Sequence, residues 1–103
     1  MFEVRYSASA REDLLRLFDF LLERAESVEE FEAAQAAIDA IREAVEKSLA
    51  RSPFAYRKAA ESPFLRELLI PFGRAGYVAL YDILDATTVM VLAVRHQLED
   101  DYR

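Results

Sequence analysis

Tyr77-Val78-Ala79-Leu80-Tyr81 and Val89-Met90-Val91-Leu92-Ala93-Val94 decide how this chain folds. Both runs are dominated by β-branched, aromatic and aliphatic side chains, which suit strands. With Leu65 to Pro71 before them they predict strands over 65–71, 77–84 and 88–94. The connections, Phe72-Gly73-Arg74-Ala75-Gly76 and Asp85-Ala86-Thr87, are short enough to require an antiparallel meander. A sheet with helices on one side and water on the other alternates apolar with polar residues, yet these two runs are apolar at both parities. Both faces therefore call for cover. The helices of so short a chain cover one face, which leaves the other to the C-terminal tail, a copy of the chain or a separate protein, and we read it as a surface for a partner. The competing reading is a curved sheet closed over by the chain's own loops or its C-terminal tail.

Before the meander, Phe2, Val4 and Tyr6 alternate with Glu3 and Arg5, which predicts a strand over 2–6. Ser7 and Ser9 each offer a hydroxyl to the orphan N–H groups of a helix start, Ser9 and Glu12 have capping-box spacing, and a helix begins here. Leu14, Leu17, Phe18, Leu21, Leu22 and Ala25 give it an apolar face, and Arg11, Asp13, Arg16, Glu23 and Arg24 a wet one. Ser27 and Glu30 repeat the capping box, and Glu29, Glu30 and Glu32 suit the positive end of a second helix. Its stripe is Phe31, Ala34, Ile38, Ile41, Val45 and Leu49, ending before Ser52-Pro53. The two helices form an antiparallel hairpin. Periodicity vanishes between Pro53 and Pro63, which reads as a loop. Four basic residues against one acidic between Arg51 and Arg66 make this the one local positive excess, a solvated loop or an anion or partner contact. Glu99-Asp100-Asp101-Tyr102-Arg103 closes the chain as a polar tail or helix turn.

The predicted fold class is thus α+β: an N-terminal strand, then a helix hairpin on one face of a mainly antiparallel four-stranded sheet, in a single domain over residues 1–103. With 103 residues, 53% hydrophobic and 31% charged, one core is what the chain can build. The absence of cysteine excludes disulfides, thiolate metal sites and a cysteine nucleophile. A net charge of −6 opposes any unaided grip on a phosphate backbone, so nucleic acid is not the expected ligand. No apolar run is long enough to span a membrane and no signal peptide opens the chain, so we expect a cytoplasmic protein without cofactor or metal.

Arg66, Arg74, Arg95 and His96 fall near strand ends and are expected to converge on one rim, where arginine suits bidentate grip of a carboxylate or phosphate. Structural pairing of Arg66 and Arg95 with Glu67, Glu99 or Asp101 is the alternative. Tyr77 and Tyr81 share a parity and are read as core residues with Ile83, their hydroxyls reaching the edge.

Several blocks resemble the ParE branch of the RelE/ParE toxin superfamily. They are Val4-Arg5-Tyr6-Ser7 with Ala10 and Asp13-Leu14, Arg66-Glu67-Leu68-Leu69-Ile70-Pro71-Phe72-Gly73, Gly76-Tyr77-Val78-Ala79-Leu80-Tyr81, and Val94-Arg95-His96-Gln97-Leu98-Glu99-Asp100-Asp101-Tyr102. The similarity spans essentially the whole chain. It implies the toxin half of a bacterial toxin–antitoxin pair of the plasmid stabilisation type, arresting growth by binding the DNA gyrase A subunit. A ParD-like antitoxin would silence it in a hetero-oligomer. Arg66, Arg74, Val78, Leu80, Arg95, His96 and Gln97 are the residues nominated for antitoxin or target contact. Leu98 stands where many ParE-like sequences carry arginine.

The sister branch resembles RelE and implies a different class, a ribosome-dependent mRNA endonuclease. Such an activity requires cations where phosphorane charge develops, and an acid or base. Arg66, Arg74, His96 and Tyr102 are the residues available for it, a thin set in an acidic chain. A binding protein is accordingly preferred to an enzyme, and an inactive relative retained for binding is the third reading.

Overall fold

In the computed structural model the described residues are 1–73 and 75–97, Ala75 by its backbone alone. Five strands and two long helices follow one another as β1 (Glu3–Tyr6), α1 (Ala8–Arg24), α2 (Val28–Arg51), β2 (Arg57–Lys58), β3 (Leu65–Phe72), β4 (Ala75–Ile83) and β5 (Thr88–His96). The fold class is the expected one. Its strands lie in the order β1-β5-β4-β3-β2. β3, β4 and β5 form the antiparallel meander, and β1 lies parallel to β5 at the far side.

Both helix starts are hydroxyl-capped, the first by Ser7, one of the two candidate hydroxyls, rather than by the Ser9–Glu12 box. Ser7 is the cap of α1, accepting from the Ala10 N–H at 3.0 Å, and its own N–H donates to Val91. The chain has to leave β5 where β1 ends, so the cap falls one residue past Tyr6, the last paired one. Ser27 caps α2 through the Glu30 N–H, and Glu30 reaches back to the Glu26 N–H at 2.9 Å, close to the expected reciprocal cap. The stretch read as a loop is more ordered than its sequence suggests. Pro53–Ala55 forms a 3-10 turn, and Arg57–Lys58 pairs with Glu67 and Arg66 as a fifth strand. Two residues are too few to show an alternation.

The core lies between the helix hairpin and the sheet. Ala10, Leu17, Ile41, Val45 and Leu49 from the helices meet Leu68, Ile70, Tyr77, Ala79, Tyr81, Ile83, Val89, Val91 and Val94. Tyr77 and Tyr81 are core residues as expected, and the Tyr81 hydroxyl donates to the Pro53 carbonyl at 2.5 Å. Phe31, placed on the inner stripe of α2 by its spacing, is instead half-exposed, because it precedes the point where the helix reaches the sheet.

The two-parity apolar runs have a cause that spacing does not show. Leu80 pairs with Ala93 and Tyr81 with Val91, so Leu92 is an extra residue in β5. Such a bulge switches the side-chain parity of its strand. Val89 and Val91 point into the core before it and Val94 after it, all fully buried. The bulge thus keeps Val89, Val91 and Val94 on the core face, while Met90 and Ala93 lie on the other. On the side away from the helices Val78 and Ala93 are each only 8% exposed, and Leu69, at 43%, is the more open residue. Val78 is flanked on that face by Leu69 and Arg95. Leu80 and Met90 on the same face are partly buried, so the uncovered apolar face that the sequence leads one to expect is largely withdrawn from solvent, with Leu69 its exposed residue.

Candidate functional site

Three residues of the predicted rim can be placed, and they do not share one. Arg66 pairs with Tyr81 near the start of β3, whereas His96 pairs with Tyr77 at the end of β5. Arg66 is six residues from Phe72 at the far end of its strand, a separation of about 20 Å. Convergence of Arg66 with Arg95 and His96 is therefore corrected: the register puts them at opposite ends of the sheet. Arg74 and Tyr102 lie outside the described residues.

Arg66 is held by backbone. Its guanidinium donates to the carbonyls of Pro63 at 2.7 Å, Phe54 at 3.1 Å and Tyr56 at 2.6 Å, and it lies over the Phe54 ring. Glu67, which the sequence offered as its partner, pairs with Arg57 at 2.9 Å.

Arg95 is held by a carboxylate that the helical pattern had assigned to the wet face. Asp13 is 4% exposed and Arg95 6%. They pair at 2.5 Å, the other Asp13 oxygen receives Arg16 at 3.0 Å, and the Val94 N–H donates to Asp13 at 2.9 Å. The reason is an edge. β1 accompanies β5 only as far as Val91, and beyond that point no strand among the described residues neighbours the outer side of β5. Ser7 and Asp13 on α1 take its place, through the Leu92 carbonyl and the Val94 N–H. One signal in the sequence points to this: Asp13 continues the three-and-four spacing of Ala10 and Leu17, both buried.

The other end of the sheet gathers Phe72, Gly76, Tyr77, His96 and Gln97. The His96 ring meets Tyr77 edge-on, with centroids 5.5 Å apart, and Tyr77 also contacts Phe72. Burial raises the Tyr77 hydroxyl above its ordinary pKa, so it is a neutral phenol at pH 7. Gly76 is glycine for lack of room. A Cβ there would stand 2.3 Å from the Ile70 carbonyl oxygen and 3.0 Å from the Gln97 side chain. The Gly76 carbonyl in turn accepts from the Gln97 N–H. The Gly-Tyr and His-Gln pairs thus meet in one packed corner. Above it a cleft of about 380 Å³ opens toward the helices, lined by Leu21, Arg24, Glu30, Ala33, Tyr77 and His96 among others.

Of the remaining nominated residues, Leu80 is half-buried beside Val78, and Gln97 is exposed. Among the described residues no three potential ligands are grouped to hold a metal ion, and no helix is long and apolar enough to cross a membrane.

Comparison with known proteins agrees with the architecture. The family described as ParE toxin of type II toxin–antitoxin system, parDE, matches residues 4–101. Toxin RelE3 of Caulobacter vibrioides is 37% identical over 99 residues, which cover 96% of this chain and 98% of that protein. A solved structure described as the chromosomal ParDE TA system from P. aeruginosa has the same fold, with a TM-score of 0.71 at 19% identity, covering 93% of this chain and 96% of that one. With the family matched over nearly its whole length and the element order in agreement, this chain belongs to the ParE toxin family of type II toxin–antitoxin systems, within the RelE/ParE superfamily.

Proposed function

We propose that this toxin arrests growth by binding the DNA gyrase A subunit in the cytoplasm, and that a ParD-like antitoxin silences it by forming a hetero-oligomer with it. The observation that carries a binding role over RNA cleavage is the dispersal of the candidate catalytic groups. Arg66 and His96 stand at opposite ends of the sheet, and Arg66 is committed to three carbonyls. On the side away from the helices Arg5, Arg57 and Arg95 each sit in an ion pair with Glu3, Glu67 and Asp13. Cleavage of a phosphodiester draws on cations gathered where charge develops. A binding surface has no such requirement, and the half-buried Leu80, the exposed Gln97 and the His96 corner are accessible to a partner.

A supercoiling assay with purified gyrase and toxin tests the proposal. Inhibition that is relieved by the antitoxin encoded beside the toxin gene is the expected result. Gyrase that supercoils normally, together with cleavage of ribosome-bound mRNA that Arg66→Ala abolishes, overturns it in favour of the endonuclease.

A further inference from the structure

A second cleft, of about 490 Å³, lies between α1 and α2 and takes no part in the gyrase reading. Its walls are apolar, with Leu14, Phe18 and Ile38 partly buried and Leu15 exposed. The polar groups stand at its ends. Residues 25–27 alone join the two helices, which therefore run antiparallel. Arg11 and Arg42 thus line the end away from the connection, beside Tyr6, and Phe18 and Gln35 line the end toward it. From Arg11 to Phe18 along α1, and from Arg42 to Gln35 along α2, the helical rise gives the cleft a length of about 10 Å.

The cationic end differs from the other arginine sites. Arg5, Arg16, Arg57 and Arg95 each sit in an ion pair, whereas neither Arg11 nor Arg42 forms one with another described residue. The Tyr6 hydroxyl lies between Arg42 and Glu46 and donates to Glu46 at 3.5 Å. It is a neutral phenol at pH 7, its pKa raised by burial and by Glu46 to about 12. Two guanidinium groups against one carboxylate leave this end with a single net positive charge.

The neighbourhood limits what this charge can hold. Glu12, Asp19 and Glu23 line the adjoining hollow that shares Leu15 with the cleft, and Asp39, Glu43 and Glu46 line the one that shares Arg42. These acidic flanks repel a phosphate chain, an anionic bilayer or an acidic peptide, each of which would lie across them. A small monoanion fits between them. No carboxylate lines the cleft itself, and its size, apolar walls and few converging polar groups are those of a small-molecule site.

We propose that the cleft between α1 and α2 binds a medium-chain alkyl carboxylate, its head held by Arg11 and Arg42 and its chain lying along Leu14, Leu15, Ile38 and Phe18. The forked donors of arginine match the two oxygens of the head, and the apolar walls match the chain. The site calls on neither gyrase nor antitoxin.

Calorimetric titration of the purified chain with octanoate, below the concentration at which it forms micelles, tests this. Saturable one-to-one binding is expected, with 1-octanol, which keeps the chain but lacks the charge, weaker by about tenfold or more. Arg11→Gln and Arg42→Gln should each weaken octanoate by about tenfold, and Glu46→Gln, which removes the opposing charge, should tighten it severalfold. All three positions are exposed, and melting curves that match the wild type show that the variants are folded. Octanoate should shift the methyl resonances of Leu14, Leu15 and Ile38. The absence of saturable binding overturns the proposal, and so does uptake of many equivalents, which is adsorption of a detergent. Equal affinity for 1-octanol reduces the cleft to a greasy surface and overturns it as well. So does wild-type octanoate affinity in both arginine variants; if those variants lose affinity for the antitoxin instead, the cleft belongs to that protein.

Discussion

Arg66 and Arg95 sit toward opposite ends of the same sheet and are held by opposite means. Arg66 is ringed by neutral carbonyls of a surface loop, and Arg95 is buried against the Asp13 carboxylate. Carbonyl dipoles orient a guanidinium without cancelling its charge, so Arg66 still presents its charge at its end of the sheet. A carboxylate cancels the charge, so Arg95 contributes hold and little field. The difference separates the end that presents charge from the end that fastens a helix to a strand edge. It also predicts unequal penalties, since an uncompensated buried charge is far costlier than a lost surface hydrogen bond.

The largest effect is expected at the buried pair. Removing one partner of such a pair costs about 3–5 kcal/mol. Arg95→Met should fall toward the low end of that range in urea unfolding, because Arg16 remains on the other Asp13 oxygen. The double variant Asp13→Asn with Arg95→Met should recover part of the loss. A single variant as stable as wild type would abolish the distinction between the two ends.

An intermediate effect should come from Tyr81, whose hydroxyl anchors the loop at the Arg66 end. Burial, opposed by the nearby Arg66 charge, raises its pKa from 10.0 to about 12, and Tyr6 is raised to about 12 by burial and by Glu46. A pKa raised in the folded state means stability present below pH 10 and lost as pH rises toward 12. At about 1.4 kcal/mol per pKa unit the alkaline loss is roughly 3 kcal/mol for Tyr81. Urea midpoints measured from pH 9 to 12 should fall, and Tyr81→Phe should flatten the fall, leaving the shares of Tyr6 and Tyr77, whose hydroxyls are also raised by burial. An unchanged slope in that variant would show that neutral contacts do not anchor this end.

The smallest effect is expected for Arg66→Ala. Its hydrogen bonds run to loop carbonyls that water can reach, so about 1–2 kcal/mol of global stability is at stake. Hydrogen exchange should rise at Ala59, whose N–H bonds to Leu65 beside the loop, while Val94 at the Asp13 end stays protected. Equal acceleration at both ends would mean that the ends are coupled rather than independent.

Much of this molecule was legible before any coordinates. The Ser27 capping box, the stripe through Ala34, Ile41, Val45 and Leu49, and the meander with Tyr77 and Tyr81 inward all depend on neighbours within a few residues, where periodicity and propensity operate. The candidate site was legible only in its parts. Gly76, Tyr77, His96 and Gln97 could be singled out from family resemblance, and the structure draws them into one corner. Arg66 was drawn into the wrong group because strand boundaries alone do not say which end of a sheet a residue occupies.

What the sequence determined by itself is therefore local and periodic: the order of strands and helices, where the second helix begins, and which faces are apolar. The tertiary structure decided what depends on partners far along the chain. Asp13 and Val94 are 81 residues apart, yet the carboxylate is buried because β5 outruns β1 and leaves an edge to be satisfied. The parity switch at Leu92 depends likewise on its register with β4, which no pattern within β5 encodes. Local geometry repeats every two or three to four residues, whereas edges and register exist only once distant strands have been paired.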